Sequence, residues 1–214
     1  CNNYPLVDYI ASFKKPIIIS TGMNDIYSIK KNIKILDKRK VQYAILHTTN
    51  LYPTKHSEVR LNALTELKKI FPSKIIGLSD HTPDNYTSYA AIALGASIIE
   101  KHFIDNTSRK GPDISASVNT QQMVELIKGV NLIHKALPGG INPIAREKKT
   151  SNFAFASVVA DKELKKGTIL NKNHIWVRRP GNGDFSAEQY YSLIGKQIKS
   201  DVKKNTQIKK KYFK

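Results

Sequence analysis

Apolar residues in the first two-thirds of the chain fall in short, nearly unbroken runs. Each run ends in polar residues and gives way to a stretch where apolar positions recur every three or four residues. The runs at 16–20, 43–47, 75–79 and 98–102 are rich in isoleucine and lack polar alternation, the pattern of strands covered on both faces. Between and after them, Ile26, Ile29, Ile33 and Leu36 share one helical face, as do Met123, Leu126, Ile127, Val130 and Ile133. Such stripes are expected to face a core.

A strand followed by a helix, four times over, predicts βαβ units in a parallel sheet, either doubly wound or part of a (β/α)₈ barrel. Periodicity does not choose between them. In both, chemistry gathers at the C-terminal ends of the strands. Here those ends carry Ser20 and Thr21, His47 through Asn50, Ser79 through His81, and Glu100 through His102. After Leu137 the turn-rich string Pro138-Gly-Gly-Ile-Asn-Pro143 breaks the pattern. The expected organisation is a barrel portion at 1–137, a linker at 138–152 and a β-rich module at 153–214, with strands near 156–160, 168–170 and 175–178.

Length and composition agree with this division. The 214 residues leave room for two domains, and 40% hydrophobic with 24% charged residues is ordinary for a globular protein. No apolar run approaches the roughly 20 residues that a membrane helix needs, so no membrane partner is expected. Cys1 is the only cysteine, which rules out an internal disulfide and a cysteine-built zinc site and fits the cytoplasm. The chain begins with Cys1 rather than Met and shows neither a charged nor an apolar targeting region, so its start reads as a cut. The net charge of +18 raises nucleic acid as a partner, but the lysines are dispersed and no stripe interleaves aromatics with cations. Nucleic-acid binding is therefore not expected. Residues 151–214 hold 14 Lys and Arg against 5 Asp and Glu, a net of +9. Half the excess thus lies in the final module.

His81 and His102 are 21 residues apart, about one βα unit, and each stands at a strand end. Neighbouring strands run about 4.8 Å apart, so two imidazoles at equal height can reach one metal ion; the alternative is that each bonds to backbone in a turn. The lack of cysteine and the nearby carboxylates Asp80, Glu100 and Asp113 suit an open Mn²⁺ or Mg²⁺ site, a Lewis acid toward a carbonyl. Asp80 and Glu100 are candidate catalytic groups, either orienting the histidines or exchanging protons. Their plainer roles are a helix N-cap and a lysine partner. Ser20, Thr21 and Ser79 offer hydroxyls near helix starts, where phosphate is readily held and where ordinary caps also sit.

In order along the chain, CNNYPL, KPIIISTGMN, HTTNLYPT, IGLSDHTPDNY, EKHF, RKGPDISAS, FAFASVVA and WVRRPGNGDF resemble the sialic-acid synthase family, and the similarity covers essentially the whole chain. The resemblance implies the C-terminal half of a (β/α)₈ TIM barrel followed by a small β-rich antifreeze-like (SAF) domain. It implies N-acetylneuraminate synthase activity, the condensation of phosphoenolpyruvate with the N-acylated hexosamine N-acetylmannosamine and water, with release of phosphate and dependence on Mn²⁺ or another divalent cation. On the same ground His81 and His102 match metal ligands. Ser20, Asn50 and Ser79 match phosphoenolpyruvate contacts, and Tyr52, Glu100 and Asp113 match sugar-site positions. Arg179 matches a residue that reaches the N-acyl group, and Phe153 one that lines the site, both from a cap domain lying over the partner's barrel in a domain-exchanged homodimer.

The family's catalytic glutamate and phosphate-binding lysines fall outside this sequence, the glutamate being expected immediately before Cys1. Alone, the 214 residues are therefore expected to lack synthase activity and to expose an open half-barrel edge. The motifs fit a legionaminate or pseudaminate synthase equally, which differs in the hexose taken. A reading of another class, a basic module gripping a polyanion or glycan, rests on Lys209-Lys-Lys211. A solvated charged tail is the plainer account of that run.

Overall fold

The computed structural model describes all of residues 1–214. Two units divide between Pro138 and Gly139. The first opens with helix α1 (Tyr4–Ser12), capped by Asn3, whose side chain accepts from the Leu6 amide, with Pro5 in the first turn. Proline fits there because the first helical amides have no partner within the helix.

Four strands follow, β1 (Ile17–Ser20), β2 (Tyr43–Thr48), β3 (Ile75–Asp80) and β4 (Ile98–Lys101), interleaved with α2 (Ile26–Arg39), α3 (Asn62–Ile70) and α4 (Tyr86–Ala93) and closed by α5 (Thr120–Ala136). All pairings are parallel, and the strand order is β1-β2-β3-β4. A doubly wound sheet reverses its order at a switch point. Here the order never reverses, so the winding is that of a barrel, of which this unit is a curled half.

The faces of the sheet follow period-two alternation. Ile19, Tyr43, Ile45, Ile76 and Leu78 point to the helix layer and pack with Ile29, Ile33, Leu36, Leu64 and Leu67 into one core. The intervening residues face the concave side, where Ile18 and Ile75 remain more than half exposed. The apolar stripe of α5 departs from expectation. Only Leu126 is buried, while Ile127 is 55% exposed, because α5 lies against α4 and nothing in the unit covers its other side.

The second unit contains α6 (Lys148–Ala154), an antiparallel pair β5 (Ser157–Ala160) and β6 (Ile175–Arg178), and the single-turn helix α7 (Tyr190–Leu193). Its core joins Val158, Leu164, Leu170, Ile175, Leu193, Ile198, Val202 and Ile208, each almost wholly buried. The strand expected at 168–170 is reduced to one isolated bridge, Ile169 to Gln197. The basic C-terminus is a short 3₁₀ turn (Lys210–Phe213) whose Tyr212 and Phe213 pack on the core rather than a free tail. No helix is long and apolar enough to cross a membrane.

Candidate functional site

The ends of β1 to β4 bring most of the expected residues onto the concave face. Ser20 Oγ lies 2.7 Å from Thr48 Oγ1, tying β1 to β2. Ser79 and Glu100 are register partners, and the Ser79 hydroxyl donates to Glu100 Oε1 at 2.6 Å. One residue beyond β3 and β4 stand His81 and His102. Their rings meet edge to face with centroids 5.1 Å apart. Tyr52 completes an aromatic trio, its ring 4.2 Å from His81 and 5.6 Å from His102.

His81 is buried, and its Nδ1 lies 2.9 Å from the Thr49 carbonyl. A carbonyl oxygen only accepts, so in the neutral ring Nδ1 carries the proton and Nε2 keeps a free lone pair. The Thr54 amide in turn donates to the His81 carbonyl at 2.9 Å. These two bonds latch the loop of Asn50 and Tyr52 onto the end of β3. Nothing in the residue types at Thr49 and Thr54 signals this latch, because backbone carbonyls and amides leave no mark on the sequence. His102 is held less firmly. Its Nδ1 is 3.9 Å from Asp113 Oδ2, too long for a hydrogen bond, and only its carbonyl is bonded, accepting from the Val118 amide.

Asn50 Oδ1 is buried with no hydrogen-bond partner. Such an acceptor costs free energy until a bound group donates to it. Beside it, Gly22 leaves the space its amide occupies, since a Cβ there would come within 1.7 Å of Asn50 Oδ1.

Asp80 has a different placement from the other candidates. Strand alternation turns it to the helix side, where its side chain is 1% exposed. Oδ1 accepts from the Thr82 amide at 2.9 Å, and Oδ2 accepts from Thr87 at 2.6 Å and Ser88 at 2.7 Å. Lys101, equally buried, lies 3.3 Å from Oδ2. Burial works to raise the Asp80 pKa, but Lys101, Ser88, Thr87 and the Thr82 amide together hold it below the usual carboxylate value. For Lys101, burial pulls the pKa down and Asp80 opposes it. With every oxygen engaged on the far side of the sheet, Asp80 is placed to hold the site and not to exchange protons within it.

No three His, Cys, Asp or Glu side chains converge closely enough to hold an ion unaided. His81 and His102 are the two that face each other, which fits an open divalent site completed by water or substrate oxygens. On the helix side, a separate cavity of about 380 Å³ lies between α2 and α3, lined by His47, Arg60 and Glu66 among others.

Phe153 and Arg179 are both exposed in the second unit. The loop after Arg179 is pinned near Phe153, the Gly181 amide donating to the Asn152 carbonyl at 2.9 Å. Ser157, fully buried, donates to the Pro180 carbonyl at 2.7 Å and accepts from the Gly183 amide at 2.9 Å. A Cβ at Gly183 would come within 2.8 Å of the Ser157 side chain, which explains the second glycine of Pro-Gly-Asn-Gly.

Comparison with known proteins gives a consistent result. Residues 1–142 match the NeuB family and residues 155–214 the SAF domain. The chain is 36% identical to N,N'-diacetyllegionaminic acid synthase of Campylobacter jejuni, covering 97% of this chain and 63% of that protein. It is 30% identical to human N-acetylneuraminate-9-phosphate synthase, covering 97% of this chain and 58% of that one. The crystal structure of N-acetylneuraminic acid synthetase from Leptospira borgpetersenii in complex with citrate superposes with a TM-score of 0.65 at 29% identity, over 69% of this chain and 52% of that one. The chain thus spans about three-fifths of the length of these curated relatives.

Proposed function

This chain belongs to the NeuB family, and from that premise we propose that it supplies the histidine-bearing half of the barrel, with its SAF domain, to a phosphoenolpyruvate-dependent nonulosonate synthase. The reaction proposed joins phosphoenolpyruvate, an N-acylated hexosamine and water through a new carbon–carbon bond, with phosphate released by C–O cleavage. The observation that supports this most strongly is the meeting of His81, His102 and Tyr52 above a wall of Ser20, Ser79 and Glu100.

In this reading His81 and His102 would hold Mn²⁺ or a similar divalent cation, which when bound would supply Lewis-acid polarisation of the sugar aldehyde. Ser20 and the Asn50 amide nitrogen donate to the enol phosphate, and Ser79 joins them by turning its one hydroxyl proton from Glu100 to the phosphate when substrate binds. Glu100 is the acid–base group on the sugar side, taking up the proton that the added water releases and returning one to the aldehyde oxygen as it becomes a hydroxyl, and its bond to Ser79 links the two substrate subsites. Tyr52 forms one wall beside the histidines, and Asp113 binds sugar hydroxyls. Phe153 and Arg179 serve the N-acyl group of a substrate in the partner's barrel, so the functional protein is a cytoplasmic homodimer. Positioning and charge stabilisation carry the rate, and no covalent protein nucleophile is required.

The sugar proposed first is N-acetylmannosamine; similarity to a diacetyllegionaminic acid synthase supports a diacetamido hexose as the second reading. A sugar panel on the full-length protein that carries this chain, with Mn²⁺ and phosphate release as readout, separates them. Turnover of N-acetylmannosamine supports the first choice, and turnover of only the diacetamido sugar replaces it. Absence of release with every hexosamine, or release by the 214 residues alone, refutes the proposal.

A further inference from the structure

We propose that the buried Asp80–Lys101 pair is a brace that sets the spacing and facing of His81 and His102, and that this positioning, more than stability, is its role. The inference rests on the reading of the two histidines as a working pair. Asp80 immediately precedes His81, Lys101 immediately precedes His102, and Asp80 and Lys101 are register partners across β3 and β4. Strand alternation sends the histidines to the concave face and this pair to the opposite one. Fixing the inner pair therefore fixes the roots of the outer one.

The brace is a closed network. Lys101 Nζ donates to the Thr82 carbonyl and, at 3.2 Å, to Thr82 Oγ1. Thr82 Oγ1 lies 2.9 Å from Thr87 Oγ1, and Thr87 and Ser88, at the start of α4, donate to Asp80 Oδ2. The circuit joins the end of β3, the end of β4 and the first turn of α4. Asp80, Lys101, Thr82, Thr87 and Ser88 are all withdrawn from solvent. A buried ion pair of this kind contributes little or nothing beyond what apolar residues of the same volume would, so stability alone gives no reason for two charges here. The two histidines also differ in their other supports. His81 is latched to Thr49 and Thr54, whereas the His102 ring has no hydrogen bond. His102 should therefore depend on the brace more.

The test is the double substitution Asp80→Asn with Lys101→Met, which keeps volume and leaves no lone buried charge. A Leu36→Ala chain, altered in the core well away from the site, serves as a control for lost stability. Each is read by Mn²⁺ titration and by NMR of histidine-labelled protein, following the His81–His102 ring contact and the His81 tautomer. We expect the double variant to stay folded, to bind Mn²⁺ 10- to 100-fold more weakly and to lose the ring contact, with His81 retaining its Nδ1–H form. Leu36→Ala should melt earlier yet keep both signals. Ring contact and affinity unchanged within twofold in the double variant overturn the brace, as does equal loss in Leu36→Ala. If the double variant does not fold, Ser88→Ala, which removes one bond of the circuit, must show a smaller change in the same direction or the idea fails. Lack of Mn²⁺ binding by the unaltered chain would count against the metal reading, while the ring contact would still judge the brace.

Discussion

A methyl group at position 22 would sit 1.7 Å from Asn50 Oδ1, and the atom it meets is the end of a side chain rather than backbone. The neighbour can therefore move, and the cost should fall on placement more than on folding. Gly22→Ala is expected to leave the melting temperature nearly unchanged. In the full-length protein it should lower kcat/KM by about 10- to 100-fold, the penalty typical of a displaced contact group. Equal kcat/KM in the two proteins would show that Asn50 touches no substrate. His47 gives a pH-dependent prediction. Its Nε2 lies 2.6 Å from the Val59 carbonyl on the helix side of β2. Burial first, and Arg60 second, lower its pKa from the ordinary 6.5, with the Val59 carbonyl opposing them. The unfolded ring then binds a proton more readily than the folded one. The stability it contributes is present above about pH 6.5 and is lost as the pH falls below that value. Urea midpoints at pH 7.5 and 5.5 should diverge in the native chain and diverge less in His47→Gln; identical divergence would remove His47 as the cause.

Among the elements, α5 has the most complete cap. The Asn119 side chain accepts from the Gln122 amide at 2.9 Å and the Gln122 side chain accepts from the Asn119 amide at 3.0 Å. Asn119→Ala should cost about 1 kcal/mol of stability, seen as a lower urea midpoint with an unchanged slope. The four parallel strands were legible in the sequence to within a residue or so, because runs such as 43–47 have no polar interruption, although only β2 is buried on both faces along its whole length. Helix α1 was missed, although Asn3 before Tyr4-Pro5 is a recognisable start; its apolar residues are too few to show a period. The stripe on α5 predicted burial that α4 alone does not provide, since periodicity reveals which face is apolar and not what covers it. For the site, position at strand ends identified the concave residues correctly as neighbours. Alternation within β3, counted residue by residue, would have sent Asp80 to the helix side and paired it with Lys101. The latch through Thr49 and Thr54 had no sequence signal, because its bonds are made by backbone atoms and the histidine ring.

At the scale of the molecule, β1 and β4 each pair with one neighbour only, and the concave face leaves Ile18 and Ile75 in water. Unpaired strand edges beside an apolar surface are templates for association. The 214-residue chain should therefore sediment as concentration-dependent oligomers at micromolar concentration and bind a hydrophobic dye. A monomer that stays dye-free across that range would contradict the open-edge description. The same geometry has a constructive side. Both outer edges present parallel backbone groups in register, so a separately expressed set of strands and helices with matching edges could close the sheet without any covalent join. Fragment complementation of this kind would turn the half-barrel into an assay for strands able to close it, with a shift from oligomers to one discrete complex as the signal that the two pieces have found the right register.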